Sequence, residues 1–233
     1  MERRSFLLGL GAATVCAASP GAPAADAAPG QRVEITLERM VGAGWRAMPP
    51  GFVFDQDDRV RFRFKASFDG YLYVMNQGTS GSYTMLFPRE ETGRANNIRS
   101  GVECLIPATQ AWFRISGPAG HDIIYWMMSP VAMGASAPPA YVPLPPPPKT
   151  APPPASLIPR CDDAIFRARG QCIDSSAGPR QLDATKPLPE NMQGLPGVRS
   201  RELIIMKRQN QSVLSSAKPI DGPVIYEFRL AHR

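Results

Sequence analysis

The sequence is poor in the residue types from which most catalytic and metal sites are built. Its 233 residues include only two histidines, His121 and His232, and four cysteines. Neither histidine lies in a motif that pairs a base with a nucleophile. The sequence also holds no nucleophile elbow, zinc-protease motif, phosphate-binding loop or dinucleotide fingerprint. We therefore expect no enzymatic activity, no cofactor and no metal, with an unrecognised hydrolase as the alternative.

Long apolar runs are scarce as well. The most apolar stretch, residues 6–18, is short and is interrupted by Gly9 and Gly11. A helix that crosses the hydrocarbon core of a bilayer needs about 20 apolar residues, so this stretch is too short to span one. We expect no transmembrane anchor once it has been removed.

Residues 1–27 have the three parts of an export signal. A positive start precedes the apolar stretch, and an Ala-rich exit supplies the small residues that a signal peptidase accepts. Cleavage is expected to leave a mature chain that begins near Ala25 or Ala28. The mature protein is therefore expected to be periplasmic or secreted.

The signal also carries an arginine pair. Arg3 and Arg4, followed by Ser-Phe-Leu, resemble the twin-arginine motif, whose export route carries proteins that have already folded. Leu8 stands where that motif usually has lysine, so an ordinary export signal is the alternative. Cys16 raises a lipoprotein option, which Val15 disfavours because a lipid-attachment box has a small residue there.

The chain is basic, with a net charge of +6 and a pI of about 9.4. Removal of residues 1–27 takes away two arginines and two acidic residues, so the excess charge belongs to the mature protein. Because an exported protein does not meet the usual nucleic-acid targets, we expect no nucleic-acid partner.

Prolines divide the mature chain. Eleven of the 26 prolines lie in residues 138–159, where they exclude a helix or a central strand and favour extended polyproline II. We predict that residues 130–200 form a long insertion, rich in proline and containing two cysteines. The proline run is interpreted either as a passive spacer or as a segment that a partner recognises.

Alternating polarity predicts strands on both sides of this insertion. In residues 59–66 the apolar side chains face one way and the basic ones face the other. Asp69-Gly70 then predicts a tight hairpin turn, because glycine tolerates a positive φ. The returning strand at residues 71–76 is apolar on both faces, which is typical of a strand that is buried on both sides.

The complete pattern predicts an all-β fold. No convincing helical period of 3.6 is present in the mature chain. About nine or ten short strands, separated by turn signals, favour an antiparallel β-sandwich of the immunoglobulin-like kind. Residues 28–233 would form this single domain, which the strands after the insertion complete. The other predicted strands are residues 31–40, 83–87, 102–106, 111–116, 123–129, 202–207, 212–215 and 224–230.

Three cysteines remain after removal of the signal. Cys161 and Cys172 enclose ten residues, and an oxidising compartment allows them to form a disulfide. The competing interpretation is a metal pair completed by Asp162, Asp163 or a histidine, although the spacing matches no common zinc site. Cys104 alternates with apolar neighbours and is predicted to be a buried free cysteine.

One constellation suggests binding. Arg59, Arg61, Arg63 and Lys65 occupy alternate positions of one predicted strand, about 6.6 Å apart. Such a positive ridge suits the phosphates or carboxylates of an anionic envelope polymer. The alternative is a solvated face whose charges discourage edge-to-edge pairing.

Several short motifs are spaced along the predicted strands. They are Trp45 with Gly51-Phe52, Asp58-Arg59-Val60-Arg61-Phe62, Asp69-Gly70-Tyr71-Leu72-Tyr73-Val74, Leu86-Phe87-Pro88, Ile106-Pro107, Gly117-Pro118-Ala119-Gly120 and Tyr226-Glu227-Phe228. Together they resemble the bacterial domain of unknown function 4384 over roughly residues 45–129 and 201–230. The resemblance implies a compact β-sandwich-like module, found in envelope proteins or attached to signalling and protease domains, with no established enzymatic role.

These observations predict a non-catalytic exported β-sandwich module that acts as an interaction or accessory protein of the bacterial cell envelope. Its expected partner is an unknown envelope protein. In the alternative, the partner is an anionic envelope polymer bound by the basic strand.

Overall fold

The computed structural model of the protein describes most of the chain after residue 30. The described residues are 31–79, 83–133, 158–182, 204–216, 219 and 222–233. The predicted signal peptide and most of the proline run lie outside these residues.

The described residues form fourteen strands and one short helix. In chain order they are β1 (Gln31–Val41), β2 (Gly44–Met48), β3 (Val53–Phe54), β4 (Arg59–Ala66), β5 (Gly70–Gln77), β6 (Tyr83–Phe87), β7 (Asn97–Ile98), β8 (Glu103–Ile106), β9 (Phe113–Arg114), β10 (Gly120–Ser129), α1 (Ala164–Ala168), β11 (Gly178–Arg180), β12 (Ile204–Arg208), β13 (Gln211–Ser216) and β14 (Val224–His232).

The strands form two sheets that pack face to face. The order in the first sheet is β12-β13-β1-β4-β8, with β2 also paired to β1 and β9 to β4. The order in the second sheet is β11-β14-β10-β5-β6, with β3 also paired to β14 and β7 to β5. The pair β3 and β14 is parallel, whereas the neighbouring long strands are antiparallel. The predicted β-sandwich is therefore confirmed.

The core lies between the two sheets, where the apolar faces of their strands meet. In β4, Val60, Phe62 and Phe64 point inward and are at most 2% exposed. Trp126 of β10 stacks on Phe64, with ring centroids 5.8 Å apart, and on Tyr226 of β14 at 6.3 Å. Because the stabilisation gained by burial scales with the apolar area removed from water, these large rings contribute more to the stability of the core than smaller side chains do.

Strands that precede and follow the predicted insertion pair directly with each other. β1 pairs with β13 over Gln31–Ile35, and β10 pairs with β14 over Gly120–Met128. Each sheet therefore combines strands from both sides of residues 134–157.

The predicted hairpin at Asp69-Gly70 is wrong. β4 belongs to the first sheet and β5 to the second, so residues 67–69 cross from one sheet to the other. Gly70 is needed for space and not for a positive φ, because a Cβ there would lie 2.7 Å from the carbonyl oxygen of Ser129. The Asp69 carboxylate accepts a hydrogen bond of 2.7 Å from the backbone N–H of Ser100, which fixes the crossing.

Most predicted strands are confirmed to within a few residues, and the differences lie in short elements. The strand predicted at residues 111–116 is reduced to β9, and the sequence interpretation missed β2, β3, β7 and β11. It also missed α1, which begins after Asp163. The Asp163 carboxylate caps this helix by accepting hydrogen bonds from the backbone N–H groups of Ile165 and Phe166. A single turn of helix is too short to show a period.

The outer face of the second sheet is apolar. Tyr73 and Met75 of β5 pack beside Tyr125 and Met127 of β10, and none of the four is more than 6% exposed. The backbone N–H of Met133 donates a hydrogen bond to the Tyr73 hydroxyl. β5 is thus buried on both faces, as its sequence predicts.

Candidate functional site

The first candidate is the basic strand face, which we define as Arg59, Arg61, Arg63 and Lys65 on the outer side of β4. Glu38 of β1 lies between two of these cations. Its Oε2 is 2.6 Å from Arg61 Nε, and its Oε1 is 2.8 Å from Arg63 Nη2. One carboxylate therefore pairs with half of the basic strand face.

These ion pairs are shielded from water on the Glu38 side. Glu38 is only 5% exposed, and Arg63 also pairs with Glu103 of β8 at 2.6 Å. The hydrogen bond from Arg63 to Glu38 outweighs the effect of burial, and attraction by Glu38 and Glu103 adds to it, so the pKa of Arg63 is raised above its ordinary value. The Arg63 guanidinium therefore keeps its charge in the fold.

Aromatic rings and further carboxylates flank the remaining cations. The Arg59 guanidinium lies 4.7 Å from the ring centroid of Trp112, and Arg61 lies 4.3 Å from that of Trp45. Lys65 is in register with Glu34 of β1 and Glu103 of β8. The basic strand face is thus interleaved with negative charge. Its binding to an anionic polymer stays a prediction, which these carboxylates make less favourable.

The second candidate is the cysteine loop, which we define as residues 158–180. Cys161 and Cys172 form the predicted disulfide, with Cα atoms 4.8 Å apart. The competing metal-pair interpretation is wrong, because the two sulfurs are bonded to each other. Cys104 is free and packs half-buried against the core, where burial raises the pKa of its thiol.

Asp174 attaches the cysteine loop to the sandwich. Its backbone N–H donates to the Gly51 carbonyl at 2.8 Å, and its carboxylate accepts from the backbone N–H groups of Arg160 and Ser176, both at 2.8 Å. His121 Nε2 lies 3.3 Å from the same carboxylate. Burial disfavours the charge of Asp174, but the hydrogen bonds and the attraction of His121 outweigh it, and its pKa is lowered.

The third candidate is a cleft at one end of the sandwich, between the two sheets. We call it the end cleft, and its volume is about 450 Å³. Both sheets and the segment around β9 contribute to its lining. The lining residues are Val60, Phe62, Asn76, Gly78, Thr79, Thr84, Leu86, Trp112, Phe113, Arg114, Ile115, Ser116, Gly117, Pro118, Asp122, Ile124 and Leu230.

Polar groups of the second sheet reach into the end cleft at Asn76 and Asp122. Asp122 Oδ1 accepts a hydrogen bond of 3.0 Å from the backbone N–H of Thr79 and lies 3.4 Å from Nε2 of His232, which is fully buried. The Asn76 Oδ1 atom is buried and has no hydrogen-bond partner among the residues that the structure describes. The inner end of the cleft thus presents two acceptor groups.

The mouth of the end cleft carries a cation and an aromatic ring. Arg114 has a side chain that is 69% exposed, and its Nη1 lies 3.6 Å from Asp57 Oδ1. Trp112 is 43% exposed. Positive charge therefore sits at the rim, and the negative charge lies further inside.

The sequence interpretation missed the end cleft, although a signal for it exists. In β5 the inward-facing positions run from Leu72 and Val74 to Asn76, and in β10 they run from Trp126 and Ile124 back to Asp122. Each series replaces an apolar residue by a polar one at the same end of the sandwich. Recognising the cleft required the pairing of β5 with β10, which a single strand does not reveal.

Within the described lining, no serine or threonine hydroxyl is hydrogen-bonded to Asp122 or His232 as a nucleophile would be. In the described ranges, no group of three His, Cys, Asp or Glu side chains is placed to hold a metal ion. No helix among the described residues is both long enough and apolar enough to cross a membrane.

Comparison with known proteins connects part of the chain to a family. Residues 53–132 match the family model of a domain of unknown function, DUF4384. The match covers about a third of the chain and confirms the predicted resemblance there, whereas residues 201–230 lie outside it. It runs from β3 to just beyond β10 and includes every described lining residue of the end cleft except Leu230. No curated protein and no solved structure matches the chain.

The DUF4384 match does not include all the strands that complete the sheets. β1 and β13, which extend the first sheet beside β4, and β14, which pairs with β10, lie outside it. The matched stretch therefore folds here together with strands from both of its flanks.

Proposed function

We propose that this protein is a non-catalytic interaction module of the bacterial cell envelope. A twin-arginine-like signal in residues 1–27 directs its export, the mature protein is periplasmic or secreted, and its partner is an envelope protein. The disulfide between Cys161 and Cys172 supports an exported location, because such bonds are rare in the reducing cytosol.

The observation that carries this proposal is the edge strand β12. Among the described pairings it is bonded on one side only, to β13. Ile204 and Met206 point outward from it and are 61% and 42% exposed. Lys207 holds the strand in place, since its Nζ donates to the Ala177 carbonyl at 2.8 Å. An extended segment of a partner can add to such an edge as a further strand.

The positions of the two histidines support a role without catalysis. His121 lies beside Asp174, and His232 lies beside Asp122. The side chains best suited to act as bases at neutral pH are thus part of contacts that hold the cysteine loop and the end of β14 in place.

Photocrosslinking in intact cells tests the partner. A photoreactive amino acid at Gln209, an exposed position just beyond β12, should capture one defined envelope protein. The Ile204→Lys, Met206→Lys variant should lose this product. The control is Val102→Lys, which adds a charge at another exposed apolar residue and should keep it. An unchanged product in the β12 variant would overturn the proposed surface.

Cell fractionation tests the export route. The Arg3→Lys, Arg4→Lys variant should remain in the cytoplasm, because the twin-arginine route depends on the arginine pair. Undiminished export of this variant would leave an ordinary signal peptide, and retention of the wild type in the cytoplasm would remove the envelope assignment.

A further inference from the structure

The end cleft contains an acceptor that no described residue uses. The Asn76 Oδ1 atom is buried and lacks a partner among the described residues, and such unmet groups are rare in folded proteins. We infer that the end cleft binds a small organic cation with an apolar body and an ammonium or amidinium head. This inference goes beyond the proposed function, because the cleft and β12 are separate surfaces that can be tested independently.

The head of such a ligand is recognised by the acceptors of the second sheet. Asp122 uses Oδ1 for the Thr79 N–H and the His232 contact, and its Oδ2 has no donor in the described contacts. The N–H groups of a cationic head can donate to this oxygen and to Asn76 Oδ1. The hydrogen bond to Asp122 then has two charged partners and the one to Asn76 has a charged donor, and such charge-assisted bonds are stronger than those between neutral groups.

The body of the ligand is recognised by apolar side chains from both sheets. Val60 and Phe113 line the cleft from the first sheet, and Leu86 and Ile124 line it from the second. The Phe113 ring also provides a face that attracts a nearby cation. A volume of about 450 Å³ falls within the usual range of small-molecule sites and admits a body of benzyl size.

The distribution of charge favours a cation over an anion. The cationic Arg114 lies at the mouth and faces Asp57, whereas the Asp122 carboxylate is directed into the cleft, with a side chain that is 15% exposed. An anionic head at the inner end would be repelled by this carboxylate and by the Asn76 oxygen. A cationic head at the same place would be attracted by both.

Binding of simple probes to the mature protein tests the inference. We expect benzamidine and benzylamine to bind with a Kd on the order of 1 mM, which is typical of ligands of this size. Benzyl alcohol and benzoate should bind at least about tenfold more weakly, because they lack the charged donor. Titration calorimetry or NMR shifts measure all four probes under the same conditions.

Two cleft variants and a matched control locate the site. Asp122→Asn should weaken the binding of benzamidine about tenfold. Asp69→Asn makes the same change at the far end of β5, where the amide oxygen can still accept from Ser100, and should leave the affinity unchanged. Arg114→Gln, at a side chain that is 69% exposed, should strengthen the binding of benzamidine about two- to threefold by removing a positive charge.

Clear outcomes would overturn the inference. They are equal binding of benzamidine and benzoate, no binding of either cation at 10 times the expected Kd of about 1 mM, or wild-type affinity in Asp122→Asn. If Asp122→Asn does not fold, unchanged or weaker binding by Arg114→Gln overturns it instead. The Ile204→Lys, Met206→Lys variant should keep its affinity for the probes, which separates this test from that of the proposed partner.

Discussion

The outer faces of the two sheets differ, although β4 and β5 follow one another in the chain and have the same length. The outer face of β4 is a ladder of ion pairs around Glu38. The outer face of β5 is apolar and is buried with Tyr125 and Met127. The outer face of the first sheet therefore carries charged side chains, whereas the second sheet packs against apolar side chains on both of its faces.

The comparison shows what alternation can and cannot reveal. In β4 the strict alternation identifies the inner face directly, because only one side is apolar. In β5 both sides are apolar, so the pattern reveals burial but does not indicate which side faces the other sheet. That ambiguity also hid the change of sheet after β4.

The largest expected effect is the loss of a buried side chain from the outer face of the second sheet. Met127 is fully buried, so Met127→Ala should lower the free energy of unfolding by about 2–5 kcal/mol. Lys65→Ala, on the outer face of the first sheet, should change it by less than about 0.5 kcal/mol. Urea unfolding measures both, and similar values would erase the contrast between the faces.

Loss of the disulfide should come next. The Cys161→Ser, Cys172→Ser variant should lose about 2.5–3 kcal/mol of unfolding free energy, because the unfolded chain is no longer constrained. The cysteine loop includes β11, which pairs with β14, so hydrogen exchange should increase at the edge of the second sheet. Faster exchange confined to β1 and β4 would contradict this assignment.

Removal of the shared carboxylate should have a smaller effect. Glu38→Gln leaves Arg61 and Arg63 without their charged partner and should cost about 1–2 kcal/mol. The matched change Glu34→Gln affects a more exposed pair with Arg32 and should cost less than about 1 kcal/mol. Equal effects in thermal or urea unfolding would show that burial of Glu38 is unimportant.

Acid should weaken the attachment of the cysteine loop. The pKa of Asp174 is lower in the fold than its ordinary value of 3.8, so its charge stabilises the fold above that pH. This stabilisation is lost as the pH falls through the lowered value. Unfolding measured from pH 6 to pH 2 should show that the wild type loses its advantage over Asp174→Asn only below about pH 4. A constant difference would contradict this pH dependence.

The smallest expected effect concerns the basic strand face. Purified anionic envelope material should retain the wild type at low salt and release it at high salt, since the Debye length is about 8 Å at physiological ionic strength. The structure favours Arg59→Gln, Lys65→Gln as the test variant. Glutamate at Arg61 or Arg63 would place like charge beside Glu38, and glutamate at Lys65 would do so beside Glu34 and Glu103. Equal retention of wild type and variant at every salt concentration would exclude polymer binding by this face.

Features that depend on nearby residues could be predicted from the sequence. The alternation around Phe62 predicts its burial, and the spacing of Cys161 and Cys172, in a chain that is expected to be exported, predicts their bond. The end cleft depends on Asn76 and Asp122, which meet only because β5 and β10 pair. The Glu38 ion pairs likewise depend on the register of two strands, which no local pattern specifies.

The position of β14 has a consequence for how the protein is made. β14 pairs with β10 on one side and β11 on the other, and it also pairs with β3, yet the ribosome synthesises it after all the other described strands. Until residue 232 has emerged, β10 has an open edge and Trp126 lacks the ring of Tyr226. The second sheet therefore closes only after synthesis of β14, and until then the open strand edge and the apolar rings beside it are features that favour aggregation in general.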